Sequence, residues 1–224
     1  VGQSLNIVYA DSTKGWLPVS DDAVAEAPVA PATQRAIFAF GSNGSSNLSM
    51  SNLVNNSGVI AADVSGVGTD RRQLAASSYG GDKGIFGFGA AGSAENVTNK
   101  VSNSGVVASD TSGVGTARYY LAGAGYGGDK GIFGYGSTGS VTGITNLINN
   151  AGAVASDVSG VGTARLQLAA SSYGGDKAMF AYGFTDQSLS MKNLVNSSGV
   201  VASDVTGVGT ARGGLAAAGY SLSA

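Results

Sequence analysis

The sequence predicts an all-β protein: a four-repeat β-propeller closed by pairing of its first and last strands, with an N-terminal β-hairpin arm. Three observations predict it. A unit of 47 residues recurs four times between Ile37 and Ala224. Each unit carries strand-like segments in which large rings alternate with small residues. The array also starts and stops out of phase, leaving complementary halves of one unit at its two ends.

The repeat rests on landmarks that keep one register. Gly-Val-Gly-Thr starts at Gly66, Gly113, Gly160 and Gly207; an Asn stands at 52, 99, 146 and 193; an Arg stands at 71, 118, 165 and 212; a Leu stands at 74, 121, 168 and 215. Four landmarks in one phase are the signature of a repeat architecture.

Three segments per unit read as strands. The first is Ile37-Phe38-Ala39-Phe40-Gly41, echoed at 85–89, 132–136 and 179–183. Period-two alternation places its two rings on one face and aliphatic or small residues on the other. The second runs from Asn52 to Ile60 in the first copy, and the third is Leu-Ala-Ala-Ser-Ser-Tyr or, in the last copy, Leu215 to Tyr220. A Gly-rich turn joins second to third. Tyr-Gly-Gly-Asp-Lys, at 79–83, 126–130 and 173–177, joins third to first as a hairpin-type loop. No segment keeps a 3.6-residue apolar period, so helix is not expected in the repeats. Rings on one sheet can fill the space left by Gly and Ala on the next, which suits sheets stacked face to face. Chain entry at the first-type strand and exit at the third-type strand then suggest a ring closed by those two, leaving no long edge. An open stack or a blade-sharing oligomer is the competing arrangement.

Residues 1–36 stand outside the repeat and 37–224 form the repeat domain. Ser4 to Ala10 reads as a strand, Lys14 to Val19 as a turn and second strand, and Ala23 to Thr33, with Pro28 and Pro31, as a Pro/Ala linker. A hairpin on a linker suits attachment to other proteins, or simple packing on the repeat domain. The sequence opens on Val1 rather than Met, as in a processed form or part of a longer chain.

Composition narrows the chemistry. With no His and no Cys, thiol chemistry, disulfides, His- or Cys-ligated metals and histidine acid–base catalysis are excluded. Net charge is −2 and charged residues make up 12%, so no long-range attraction for nucleic acid or an anionic membrane is expected. No apolar run is long enough to span a membrane as a helix. No cofactor and no metal are expected.

Each repeated motif has a structural and a functional reading. Gly-Val-Gly-Thr lacks the Lys and following helix of a phosphate loop, and occurs four times, so it reads as a turn. The preceding Asp (63, 110, 157 and 204) brings too few carboxylates for a calcium loop and reads as an Asx-type turn. The repeated Arg reads as a donor to backbone carbonyls or to the repeat's Asp, with a binding face as the alternative. The ligand-binding candidates are the loop residues Tyr79, Asp82 and Lys83, Tyr126, Asp129 and Lys130, and Tyr173, Asp176 and Lys177. An aromatic face beside polar groups suits a small sugar, and repetition would add weak contacts. Tyr119-Tyr120 and Arg72 depart from the repeat and mark a differentiated face. A glycan hydrolase would need a close pair of carboxylates, whereas the repeat supplies isolated Asp residues in symmetric positions. No catalytic residue is assigned, and the chain is read as non-enzymatic.

Two resemblances add to this reading. The stretch from Arg118 through Gly-Tyr-Gly-Gly-Asp-Lys-Gly-Ile-Phe-Gly-Tyr-Gly to Gly136 resembles the kelch repeat, which implies propeller geometry. The arm Ser4 to Trp16, followed by Asp21-Asp22, is similar to a module of virion structural and fibre-like proteins of tailed phages, notably cyanophages. The Tyr-Gly-Gly-Asp-Lys-Gly-Ile-Phe-Gly repeats resemble those of phage appendage proteins. These likenesses imply an oligomeric tail-fibre, appendage or capsid-surface protein at the virion surface. Residues 1–36 would bind other virion proteins, and the repeats would be displayed for a host glycan or receptor. A lectin-like glycan-binding propeller is the alternative.

Overall fold

The computed structural model describes residues 7–18 and 35–220 of the chain, all of them strand, turn or irregular. The chain divides into two compact units, Val1–Arg35 and Ala36–Ala224. In the first, β1 (Ile7–Asp11) and β2 (Gly15–Pro18) form an antiparallel hairpin. Asp11 accepts hydrogen bonds from the amides of Thr13 and Lys14, a turn its short carboxylate is suited to make. Those bonds, Lys14's ahead of Thr13's, hold the carboxyl below the usual aspartate range. Tyr9 and Trp16 meet edge to face at 5.5 Å. The Pro/Ala linker lies outside the described residues.

The second unit is a series of small antiparallel sheets. Strands β3 (Ala36–Ser42) and β4 (Asn47–Val54) pair as a two-stranded sheet. Three complete sheets follow. They are β5 (Ala75–Tyr79), β6 (Lys83–Gly87) and β7 (Thr98–Val101); β8 (Ala122–Tyr126), β9 (Lys130–Gly134) and β10 (Thr145–Ile148); and β11 (Ala169–Tyr173), β12 (Lys177–Phe184) and β13 (Ser188–Val195). The middle strand is in each case the aromatic one, paired along both of its edges. Phe133 and Phe180 have no exposed surface.

The second expected strand is shorter than its pattern suggests. It stops at Val54 in the first copy, turns, and returns to touch its own strand through single bridges such as Val54↔Ile60 and Ser51↔Val64. Asn55 causes the reversal: its Oδ1 accepts the amides of Ser57 and Val59, an Asx turn that ends the ladder. The same returns recur at 107–111, 154–158 and 201–205. Each complete sheet therefore has a discontinuous fourth edge made of single bridges.

A second departure lies at the second aromatic of each aromatic motif. Phe40, Phe88, Tyr135 and Tyr182 have φ of 61–64°, in the left-handed region where a bulky side chain is an outlier. The ladder shifts register there, between Ala39 and Gly41 and between Ala181 and Gly183. The two rings of the motif therefore do not share a plain alternating face. The bulge turns the second ring toward the following repeat.

Successive sheets stack in chain order, most closely along their first strands, where β5 lies beside β8 and β8 beside β11. Small residues permit the approach. A Cβ at Gly87 or Gly134 would sit 2.7 Å from the ring of Phe133 or Phe180 on the next sheet. Rings do fill the space left by glycine, and the buried residues gather in two clusters, one holding Tyr79, Phe88 and Phe133 and the next holding Tyr126, Tyr135 and Phe180. The expected pairing of first and last strands is not seen among the described residues. Among the described residues β3 pairs with β4 alone, and 215–220 enter no ladder, with Gly219 close to Ser171 and Ser172 of β11.

Candidate functional site: arginine clamps and a ridge of loops

The repeated Arg is the largest fully buried side chain of its sheet: Arg71, Arg118 and Arg165 are 0% exposed. Arg118 shows how this is tolerated. Its Nε donates to the Tyr135 carbonyl (2.9 Å), Nη1 to the Thr116 carbonyl (3.1 Å) and Nη2 to Asn146 Oδ1 (2.6 Å). Its guanidinium also lies 4.2 Å from the centre of the Phe88 ring on the preceding sheet. Arg71 repeats the set with Phe88, Thr69, Asn99 and the ring of Phe40. The planar fork satisfies several acceptors at once, and its faces accept a ring, which an ammonium could not do. This explains the bulge: the left-handed residue presents its carbonyl to its own sheet's Arg and its ring to the next. Burial pushes Arg71 and Arg118 down to about 10, so both stay charged at neutral pH. Arg165 differs. Its Nη2 turns to the Phe180 carbonyl (3.4 Å), and Asn193 Oδ1 is left buried without a partner.

The Gly-Val-Gly-Thr turns complete the clamp. Gly115 has φ 90°, and its missing Cβ leaves room for Asp157 and Asn146. The Thr116 amide and hydroxyl both donate to the Asp157 carboxylate, at 3.0 and 2.7 Å, and Asn146 Nδ2 donates at 2.9 Å. Thr69 with Asp110 and Thr163 with Asp204 repeat this. The loop does cradle an anion, but the anion is the chain's own Asp, 41 residues on.

These carboxylates set an acid limit. Burial raises the pKa of Asp157, but the bonds from Thr116 and Asn146 and the charge of Arg118 outweigh it and hold the group below the usual range; Asp110 and Asp204 behave alike. A depressed folded-state pKa contributes stability that is present above the unfolded value, about 3.9, and is lost as pH falls through the folded value. Stability is therefore expected to drop below about pH 4, as followed by circular dichroism. Asp157→Asn should reduce that slope while lowering stability at pH 7; an unchanged slope would contradict the assignment.

The loop candidates form a ridge along one edge of the stack. Each Lys pairs with its neighbouring Asp: Lys83 with Asp82, Lys130 with Asp129 and Lys177 with Asp176, at 2.6–2.7 Å. Successive loops are joined through backbone, with the Gly80 amide donating to the Asp129 carbonyl and Gly127 to Asp176. The tyrosines are placed differently from the polar pairs. Tyr79 and Tyr126 are buried, lying under Gly152 and Gly199 of the following repeat, and Tyr173 is partly exposed. The ridge thus offers ion pairs without two of its three expected aromatic faces. Of the copy-specific residues, Tyr120 accepts a hydrogen bond from Gln73 through its hydroxyl and packs on Tyr119.

A shallow trough of about 350 Å³ runs over the first strands and 217–219, lined by Ala, Gly and Ser such as Ser77, Ser78, Ser171 and Ser172. It contains no titratable side chain. Among the described residues no cluster of three or more Asp or Glu is placed to hold a metal ion, and no helix is long and apolar enough to cross a membrane. Comparison with protein-family models and with curated proteins finds no match for the chain.

Proposed function

We propose that the chain is a non-enzymatic structural component of a phage virion or its appendage, with the arm as attachment and the blade-like, propeller-type repeats displayed at the surface. The observation that carries this reading is the clamp, built again in each complete sheet around a buried Arg. Such an array is stiff, extendable and chemically quiet, since in the first two complete sheets the Arg, Asn and Asp are spent on one another. The arm adds a hairpin with Trp16 66% exposed, a surface suited to other virion proteins. Mass spectrometry and antibody-labelled cryo-microscopy of purified particles are expected to find the chain in the particle. Its restriction to the particle-free lysate would refute the proposal.

A lectin-like role is the second reading, favoured by the exposed Asp–Lys pairs in register along the ridge. With Tyr79 and Tyr126 buried, these pairs would act with little aromatic support. Retention on a glycan array that Asp129→Ala and Asp176→Ala abolish would support it, and absence of retention at high protein concentration would exclude it.

A further inference from the structure

We infer that the two incomplete sheets at the ends of the repeat domain are halves of one sheet, completed between chains. The C-terminal segment of one copy adds as a strand to β3 of the next, in a head-to-tail assembly. The repeats show what a complete sheet contains: a Thr and Arg ahead of the first strand, the aromatic strand with its bulge carbonyl, and the Asn and Asp that follow.

Each end holds what the other lacks. At the C-terminal end Arg212 sits over the Tyr182 ring at 3.9 Å, as its counterparts sit over theirs, and Nη1 donates to the Thr210 carbonyl. Its Nε and Nη2 have no acceptor corresponding to Tyr135 O and Asn146 Oδ1 among the described residues. Among the same residues Thr210 has no Asp, and 215–220 have no ladder partner. At the other end Phe40 supplies the bulge carbonyl, Asn52 the amide and Asp63 the carboxylate, the last already held by Asn52 Nδ2 at 2.8 Å. There no Thr or Arg of the described residues serves them. Exposure follows the same division. Phe38 is 61% exposed where Phe133 and Phe180 are covered, and Tyr220 is 90% exposed where Tyr79 and Tyr126 are buried.

The occupant is a second copy because the vacant positions match this chain's own residues in type, order and charge, with Arg212 meeting Asn52 and Asp63. Transferring the β5–β6 register, Ala75↔Gly87 and Ala76↔Phe86, puts Ala216 opposite Ala39 and Ala217 opposite Phe38. The contact uses different faces on the two partners, so it propagates as a filament unless its rotation closes a ring of copies. Backbone pairing supplies affinity and the clamp supplies register.

The chain has no Cys, so cross-linking tests this cleanly. Ala39→Cys and Ala216→Cys, carried on separate chains and mixed under mild oxidation, are expected to give a mixed-disulfide dimer. The chain carrying both should give a ladder of multimers that collapses on reduction. Sedimentation velocity of the unmodified chain should show mass rising with concentration. Arg212→Ala and Asp63→Ala should each raise the concentration needed at least tenfold without shifting the thermal midpoint of the dilute protein. A disulfide confined within one chain would mean ring closure, or pairing by other parts of the same chain, and would overturn the proposal. So would a chain that remains monomeric at all concentrations. This test uses purified protein alone, so its failure would leave the virion proposal standing.

Discussion

Arg118→Met is expected to lower the unfolding free energy of the repeat domain by about 3–5 kcal/mol, because three acceptors lose a charged donor and each buried acceptor left unpaired costs about 1–3 kcal/mol. Methionine keeps an apolar stem over the Phe88 ring, so packing is largely retained. What is lost is a donor for each of the Tyr135 carbonyl, the Thr116 carbonyl and Asn146 Oδ1. Asp157 also loses the nearby cation that helps to keep it ionised. Arg118→Lys should be nearly as damaging, because an ammonium cannot reach three acceptors in the plane of a fork. Arg212→Met is the control. It removes the same residue of the same motif where the side chain is exposed, and should change dilute-protein stability by no more than about 0.5 kcal/mol. Urea melts of the three variants decide the matter. Equal losses at 118 and 212 would show that the buried network is not what holds a sheet together.

Phe133→Ala should cost a comparable amount, about 3–5 kcal/mol, and toward the upper end of that range. The ring has no exposed surface and reaches onto Gly87 and Gly123 of adjoining strands, where an added Cβ would fall 2.7 and 3.0 Å from its atoms. It also meets Phe88 edge to face at 5.5 Å. The cost of a cavity depends on how far its walls can relax. Here much of the facing wall is glycine backbone held in ladders, which relaxes little into the space. Phe38→Ala, the same motif position with 61% of the residue exposed, should cost far less in the dilute protein. Similar losses at 38 and 133 would contradict the stacked core.

The repeat, the three strand types and the structural role of the Arg were legible because each depends on residue type at a fixed spacing. The bulge was not. Phe40 and its equivalents look like ordinary alternating strand residues, and only the Gly that follows in every copy hints that the backbone turns left-handed there. The early end of the second strand was signalled by Asn55 but masked by the Val-Ile pair beyond it. Burial of Tyr79 and Tyr126 depends on Gly152 and Gly199, 73 residues further along in each case, a separation that no local pattern reports. The two-stranded sheet at the start of the array and the unpaired segment at 215–220 follow the out-of-phase start and finish read from the repeat. What the sequence could not supply was whether the two halves meet within one chain, because that depends on how the sheets rotate from one repeat to the next.

Hydrogen exchange of the backbone amides from 216 to 220 is the most direct test of how that last sheet is completed. Completion between chains predicts fast exchange in dilute protein and strong protection at concentrations where larger species form. The Tyr120 and Gln167 amides, bonded to the carbonyls of Gln73 and Tyr120 across adjoining repeats, should stay protected throughout. Protection of 216–220 at every concentration, in a species of one chain, would contradict it.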